Sequence, residues 1–379
     1  MLKPILRKGV LVLTMLFCAL TADRAAAAEY AAYVMDARTG KVLHSRNSNK
    51  RLHPASLTKM MTLYVAFQEI KRGRLSLDTQ VKVSGYAAAK PPSKLGLRKG
   101  QRISLRYLIR AAAVKSANDA AAAIAEAISG SEAAFARKMT ATAQAMGLKS
   151  TTFKNASGLT QSGHLSTARD MAILGRRMFY DFPEYYNLFS RNSTHAGVKT
   201  VYNTNRRLLN SYRGADGIKT GYTRAAGYNL VASAERGRQR VIVSVFGGRS
   251  TASRNAQVAK LMDLGFQRMP KRARVKRPHR IRPVDVPVAA VPKAVQQGAS
   301  PKRKKVVIRR AGKVIAMTSS TRPKPRPLPD EVIIARAINS AVEEIVASAG
   351  PNRLAVEQGA SASGAPQGAW GNVVGGPRP

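Results

Sequence analysis

The chain is poor in the side chains that bind metals or form disulfides. Its 379 residues include one cysteine and five histidines. Cys18 lies within an apolar run near the N-terminus, so the rest of the chain has no thiol for a disulfide, a thiolate metal site or a cysteine nucleophile. No two histidines are spaced i,i+4 and the sequence has no H-E-x-x-H motif, which disfavours a zinc hydrolase. We therefore expect chemistry that needs no cofactor.

Acidic residues are also scarce, because 20 Asp and Glu stand against 64 Lys and Arg, for a net charge of +44. The imbalance is concentrated after Pro270, where prolines are frequent and Asp285 is the only acid between Lys271 and Arg326. Such a segment cannot bury enough apolar surface to fold, which predicts a disordered basic linker over residues 269–329. It lacks aromatic residues that would stack on bases, so nucleic acid is not an expected partner. An anionic membrane surface or an acidic wall polymer fits the charge better.

The N-terminal apolar run, Val10–Leu20, is about half the ~20 residues that a membrane-spanning helix needs. Basic residues precede it, and the small residues Ala25–Ala28 follow it. This pattern predicts a cleaved signal peptide over residues 1–28 and an exported, periplasmic protein. A single membrane anchor is the alternative.

Strand patterns stand at both ends of the region 29–268. Period-two alternation predicts strands over 30–36, 41–45, 227–234 and 239–246, while the sequence between them has mostly helical periodicity. We expect an α+β domain with one antiparallel sheet built from both ends, flanked by helices and carrying a helical subdomain. Beyond the linker, residues 330–349 predict an amphipathic helix, either a peripheral membrane anchor or a partner-binding helix. Residues 350–379 predict a disordered tail.

Three short motifs carry the candidate chemistry. Ser56-Leu-Thr-Lys59 opens a long apolar helix, so the lysine lies one turn from the serine on the same face. A hydroxyl is a weak nucleophile at neutral pH and needs an adjacent base. The other two motifs are Ser116-Ala-Asn118, in a break between helices, and Lys219-Thr-Gly221, just before the paired strands. Taken singly, each motif is equally compatible with a helix cap, a turn or a strand end.

Taken together and in this order, the motifs match the S-x-x-K, S-D-N and K-T-G signature, with S-A-N in place of S-D-N. The flanking Asp216–Tyr222 and Phe246–Arg249 segments extend the match. From about residue 29 to residue 267, the chain resembles the serine D-Ala-D-Ala carboxypeptidases, which are low-molecular-mass penicillin-binding proteins. The resemblance implies a β-lactamase/transpeptidase-like fold. It also implies removal of the terminal D-alanine from peptidoglycan stem peptides, with β-lactams as covalent inhibitors.

The resemblance also implies residue roles. Ser56 would attack the penultimate D-Ala carbonyl, and Lys59 would take the hydroxyl proton if burial beside a second cation depresses the pKa of the lysine. Ser116 would relay a proton to the leaving amine. The implied substrate-binding residues are Asn118 for the substrate amide, Lys219 and Thr220 for the terminal carboxylate, Gly221 for close approach, Tyr222 with Ser56 for the oxyanion, and Arg249 and Arg206 for a second carboxylate contact.

Several readings stay open at this stage. A peptidoglycan D,D-endopeptidase shares all three motifs, and a wall- or membrane-binding protein that lost activity would share the fold. His164 is either part of a loop beside the active site or an ordinary loop histidine. The loop from Asn155 to Thr167 contains no Asp or Glu that could hold a deacylating water, which predicts a long-lived penicillin adduct.

Overall fold

The computed structural model describes residues 28–285. The predicted signal peptide up to residue 27, the linker after residue 285, the helix over 330–349 and the tail over 350–379 lie outside the described residues. Within residues 28–285, no helix is both long enough and apolar enough to cross a membrane.

The strands, in chain order, are β1 (Ala31–Asp36), β2 (Val42–Arg46), β3 (Gln80–Lys82), β4 (Arg102–Ser104), β5 (Ser193–His195), β6 (Thr200–Tyr202), β7 (Ala215–Thr223), β8 (Gly227–Arg236) and β9 (Gln239–Gly248). The α-helices are α1 (Thr58–Lys71), α2 (Gly85–Ala88), α3 (Leu105–Arg110), α4 (Asn118–Ser129), α5 (Glu132–Ala145), α6 (Ala168–Asp181), α7 (Pro183–Tyr186), α8 (Arg206–Ser211) and α9 (Thr251–Arg268). Two 3₁₀ turns, Ala55–Leu57 and Asn187–Phe189, and one π-helical turn, Ala111–Lys115, complete the helical segments.

The main sheet joins the two ends of the domain. Its five strands are antiparallel in the order β2-β1-β9-β8-β7. Strand β1 pairs with β9 from Ala31 opposite Phe246 to Asp36 opposite Val241. The predicted antiparallel sheet built from both ends is therefore confirmed, and β7 is the outermost strand on one side.

The sheet buries both faces because successive side chains on a strand point to opposite sides. On β1, Tyr33 and Met35 pack into a core shared with the helices, whereas Ala32 and Val34 pack into a second core shared with α9. Helix α1 lies inside the first core and is buried from Thr58 to Glu69. A polar side chain near the start of α1 is therefore held in a dry and rigid setting.

Local cap signals explain where several helices begin. The Thr167 side chain accepts a hydrogen bond from the N–H of Asp170 at the start of α6. Ser250 and Ser253 form a capping box at the start of α9. These side-chain caps satisfy the free N–H groups of a first helical turn.

The segment after α9 differs from the solvated linker that composition predicts. Residues 270–285 have no helix or strand, but they lie against the domain. Arg38 donates to the Pro270 carbonyl at 2.7 Å, and Arg177 donates to the His279 carbonyl at 3.0 Å. Ile281 packs against the larger core. Composition alone did not anticipate this because the stabilising donors are arginines of the domain, far away in sequence.

The end of this segment is held by an ion pair. Asp285 accepts hydrogen bonds from Arg72 at 2.9 and 2.8 Å and from Arg74 at 2.8 Å. Both arginines come just after α1, far from Asp285 in the sequence. We call residues 270–285 the strap, and its contacts extend the folded unit beyond the predicted boundary at residue 268.

Candidate active site

Ser56 lies in the 3₁₀ turn that leads into α1, at the edge of a cleft of about 700 Å³. The turn begins at Ala55, which has a left-handed φ of 48°, an unusual conformation for a residue with a side chain. Gly158 backs the turn so closely that a Cβ at that position would lie 1.8 Å from the Ala55 carbonyl oxygen. The backbone under Ser56 is therefore fixed by close contact with the 155–164 loop.

Lys59 lies one turn after Ser56 and is fully buried. Its Nζ donates to Ser56 Oγ at 2.9 Å, to Asn118 Oδ1 at 2.8 Å and to the Ser157 carbonyl at 2.7 Å. The expected pairing of this serine and lysine is present in the structure. Burial in the first place, and the nearby charge of Lys219 in the second, hold the pKa of Lys59 well below its usual value.

Ser116 and Asn118 line the same cleft as Ser56. Ser116 follows the π-helical turn with a left-handed φ of 64°, and its side chain is not among the three partners of Lys59. The side-chain N–H₂ of Asn118 donates to the carbonyls of Pro91 and Pro92 at 2.9 and 3.1 Å. Asn118 therefore positions Lys59 in this structure, and both N–H groups of its side chain are engaged by the two proline carbonyls.

Strand β7 forms the other wall. Thr220, Gly221 and Tyr222 line the cleft, and a Cβ on Gly221 would lie 3.0 Å from the Ser56 nitrogen. Lys219 is 1% exposed and does not line the cleft, and its Nζ donates to the Thr220 carbonyl at 3.0 Å. Burial and the charge of Arg254 lower the pKa of Lys219 to about 7.

The two arginines suggested by sequence lie outside the cleft lining. Arg206 is exposed at the start of α8, with its guanidinium 5.6 Å from the Tyr202 ring centroid. Arg249 is exposed in the bend between β9 and α9. Neither side chain lines the cleft in this structure, so a second carboxylate contact by either arginine stays a prediction.

The arginine that does line the cleft is Arg254, in the first turns of α9. It is 4% exposed, and burial lowers its pKa to about 10. Its Nη1 donates to the Asn229 carbonyl at 3.4 Å, which places it beside β8. Sequence carried a signal for this position: Arg254 is spaced i,i+4 and i,i+8 from the buried Val258 and Met262, so it shares their inward face.

His164 lies behind the serine rather than in the cleft. Its Nδ1 accepts from the Lys154 N–H at 3.1 Å, so the Nε2–H donates to Thr58 Oγ1, at 2.8 Å. Burial, together with the charge of His53, lowers its pKa to about 4. This neutral histidine ties the 155–164 loop to the start of α1, which is the ordinary structural role among the two that sequence left open.

A buried aspartate that the motifs do not include shapes the rim of the cleft. Asp119, next to Asn118, accepts from the N–H groups of Leu95, Gly96 and Leu97 at 2.9, 2.8 and 3.0 Å. The Asn118 N–H also donates to the Ser93 carbonyl at 2.6 Å. The segment from residue 91 to 97 is therefore fastened to the start of α4.

An antiparallel sheet with a serine and a buried lysine between its outermost strand and a helical subdomain defines the β-lactamase/transpeptidase-like class. Within that class, the family model for D-alanyl-D-alanine carboxypeptidases, peptidase family S11, matches residues 19–250. The match covers more than half of the chain, and the chain belongs to this family.

Individual relatives agree with this assignment. The chain is 39% identical over 240 residues to the D-alanyl-D-alanine carboxypeptidase DacF of Bacillus subtilis, covering 62% of this chain and 61% of the relative. Penicillin-binding protein 5 from Haemophilus influenzae is similar with a TM-score of 0.61 and 36% identity, over 62% of this chain and 70% of that one. Penicillin-binding protein D2 from Listeria monocytogenes, in its ampicillin-bound form, has a TM-score of 0.55 at 32% identity, and the match covers 62% of this chain and 96% of that one. The chain spans about three fifths of the length of the curated relatives it matches.

Proposed function

We propose that this protein is a serine D-Ala-D-Ala carboxypeptidase, which removes the terminal D-alanine from peptidoglycan stem peptides and is inhibited by penicillin. The observation that carries the proposal is the 2.9 Å hydrogen bond between Ser56 Oγ and a fully buried Lys59 of lowered pKa. A lysine of lowered pKa loses its proton more readily and can act as the base that a serine nucleophile needs.

In the acylation step, Ser56 Oγ attacks the carbonyl carbon of the penultimate D-Ala while Lys59 takes the hydroxyl proton. The new C–O bond forms as the C–N bond to the terminal D-Ala breaks, and the leaving amine receives that proton. Ser116, which lines the same cleft, would relay that proton to the amine. The backbone N–H groups of Ser56 and Tyr222 would hold the oxyanion. Water then hydrolyses the ester and restores the Ser56 hydroxyl.

The terminal carboxylate needs a cationic or hydroxyl partner beyond the scissile bond. Thr220 lines the cleft, with its hydroxyl 2.7 Å from Thr204 Oγ1, and Arg254 lines the same cleft. Arginine can bind a carboxylate through two parallel N–H groups. We therefore assign this contact to Thr220 and Arg254, with the buried Lys219 acting through its charge.

The proposal includes export and peripheral attachment. The N-terminal signal pattern supports location in the periplasm, where peptidoglycan lies. The basic segment after the strap supports attraction to an anionic membrane surface or an acidic wall polymer. A chain that ends at residue 285 should lose co-sedimentation with anionic vesicles while keeping penicillin binding. Unchanged co-sedimentation of the shortened chain would count against this attachment.

Labelled penicillin and defined peptides test the enzymatic proposal together. The full chain should form one covalent adduct at Ser56 that persists far beyond one catalytic cycle, and Ser56→Ala should abolish it. Ser211→Ala, at an exposed serine of α8, is the matched control and should label normally. A pentapeptide ending in D-Ala-D-Ala should release free D-Ala.

Each negative result has a distinct meaning. Cleavage of cross-linked muropeptides without D-Ala release would favour the endopeptidase reading. The absence of any adduct at Ser56 would favour an inactive binding protein. Rapid turnover of penicillin would contradict the inference drawn from the acid-free 155–167 loop.

A further inference from the structure

Two lysines at the cleft have no part in the proposed reaction. Lys94 and Lys115 both line the cleft that contains Ser56. Lys94 is exposed and Lys115 is half-buried. In the described part of the chain, residues 28–285, neither ammonium group forms an ion pair with a carboxylate. Two cationic groups therefore face the substrate space without a protein counter-charge.

The backbone segments that carry these two lysines are joined by hydrogen bonds. Ser93 Oγ donates to the Lys115 carbonyl at 3.1 Å, which joins the two segments directly beside Lys94. The Asn118 N–H donates to the Ser93 carbonyl at 2.6 Å. Asp119 accepts hydrogen bonds from the N–H groups of the three residues after Lys94, Leu95–Leu97. The backbone at both lysines is thus held in place, while their ammonium groups remain available to a ligand.

The lysines and Arg254 stand on different sides of Ser56. Arg254 contacts the Asn229 carbonyl, and Asn229 pairs with Gly221 on β7, so this arginine belongs to the sheet side. The lysines belong to the helical side, which Asn118 links to Ser56 through Lys59. A peptide that places its terminal carboxylate near Arg254 extends its preceding residues away from that arginine.

The charge of the cleft supports a second anionic contact. Three of the residues that line the cleft are basic, and no lining residue is acidic. One terminal carboxylate can neutralise the charge at Arg254 but leaves the two lysines without a partner. Like charges that face each other in a cleft favour a ligand that brings negative charge between them.

We propose that Lys94 and Lys115 form a second anion site, for a free carboxylate on the stem residues that precede D-Ala-D-Ala. This inference rests on the proposed function and narrows its substrate class to acidic stem peptides, as opposed to those in which that carboxylate is a carboxamide. Because the lysines are partly exposed, each contributes the modest gain of a surface ion pair, about three- to fivefold in kcat/KM. Both together give about tenfold.

The test compares two pentapeptides that differ only in a free carboxylate or a carboxamide on a residue before D-Ala-D-Ala. The full chain should release D-Ala from the carboxylate peptide with a kcat/KM about tenfold higher, mainly through KM. The preference should weaken as salt is raised. Lys94→Gln with Lys115→Gln should remove the preference, and Lys94→Arg with Lys115→Arg should retain it. Lys99→Gln, an exposed lysine outside the cleft lining, is the matched control.

The rate of acylation by labelled penicillin serves as a check of folding in every variant. Protection against this labelling by each peptide measures binding even if neither peptide is cleaved. Absence of D-Ala release with stronger protection by the carboxylate peptide would contradict the carboxypeptidase function and support the anion site. If the unmodified chain has the same kcat/KM for both peptides and both protect equally against labelling, the anion site is overturned. The same holds if the double glutamine variant loses kcat/KM equally for both peptides.

Discussion

The contact between β7 and the serine turn gives a sharp test of the site geometry. A Cβ added at Gly221 would lie 3.0 Å from the Pro54 carbonyl oxygen, 3.0 Å from the Ser56 nitrogen and 3.1 Å from the Ala55 Cβ. Ordinary contacts of this kind begin at 3.4 Å. All three neighbours belong to one backbone turn that Gly158 holds from behind, so the strand must be the part that moves. Gly221→Ala should therefore push β7 outward by roughly 0.4 Å, the difference between the two distances.

This displacement should cost activity more than stability. Overpacking of this size costs about 1–3 kcal/mol, or a fall in Tm of roughly 2–12 °C for a domain of this size. The same movement shifts the Tyr222 N–H relative to Ser56, and loss of one oxyanion donor costs roughly 100-fold or more in rate. We expect the second-order rate of acylation by fluorescent penicillin to fall about 100-fold.

A matched glycine supplies the control. At Gly85, in α2, a Cβ would meet only the flexible Lys99 side chain at 3.5 Å. Gly85→Ala should keep the full acylation rate and a Tm equal to or above that of the unmodified chain, because alanine favours a helix. If Gly221→Ala acylates as fast as Gly85→Ala, the close approach of β7 does not set the geometry around Ser56.

Three further predictions concern charge, the strap and the buried histidine. Lys219 has a pKa of about 7 when folded and its ordinary value of 10.5 when unfolded, so the unfolded chain holds an extra proton between those values and stability rises with pH. Urea unfolding at pH 7, 8 and 9 should show that the free energy of unfolding of the unmodified chain rises by up to about 1.4 kcal/mol per pH unit relative to that of Lys219→Met. A difference between the two free energies that stays constant with pH would contradict the lowered pKa. A chain ending at residue 269 keeps the buried Met269 but lacks the strap with its packed Ile281, and should melt at least ~4 °C below one ending at residue 285. Equal Tm values by scanning fluorimetry would show that the strap is not part of the folded unit. His164→Ala should destabilise the fold by about 1–3 kcal/mol through the unpaired Thr58 hydroxyl, yet lower the penicillin acylation rate less than tenfold, and a larger rate loss would place this histidine in the reaction.

The parts of the site that sequence predicted are those marked by local signals. The serine and lysine share a helix face, so one periodic pattern predicts their contact. The break before α4 is visible because Ser116-Ala-Asn118 interrupts two helical runs, and the structure places a left-handed residue there. Strand β7 is less evident from alternation, because Gly217 and Gly221 are poor strand formers.

The parts that sequence did not predict depend on distant segments. The partners of Asn118 are carbonyls of Pro91 and Pro92, which reach it only because Asp119 fixes the segment that follows them. Sequence suggested Arg249 because it ends the Phe246–Arg249 segment of the resemblance, but the arginine that lines the cleft is Arg254, five residues further on. In each case the choice among chemically similar candidates is made by tertiary contacts.

The three hydrogen bonds of Lys59 decide the direction in which this lysine can accept a proton. An ammonium has three donors, whereas the neutral amine has two donors and one lone pair. The Ser157 carbonyl can only accept, and the Asn118 side chain presents its oxygen because its N–H₂ is held by two carbonyls. Ser56 is the one partner of the three that carries a hydroxyl hydrogen to donate. When Lys59 becomes neutral, its lone pair is therefore directed at Ser56 Oγ, and the surrounding acceptors select the proton that the base removes.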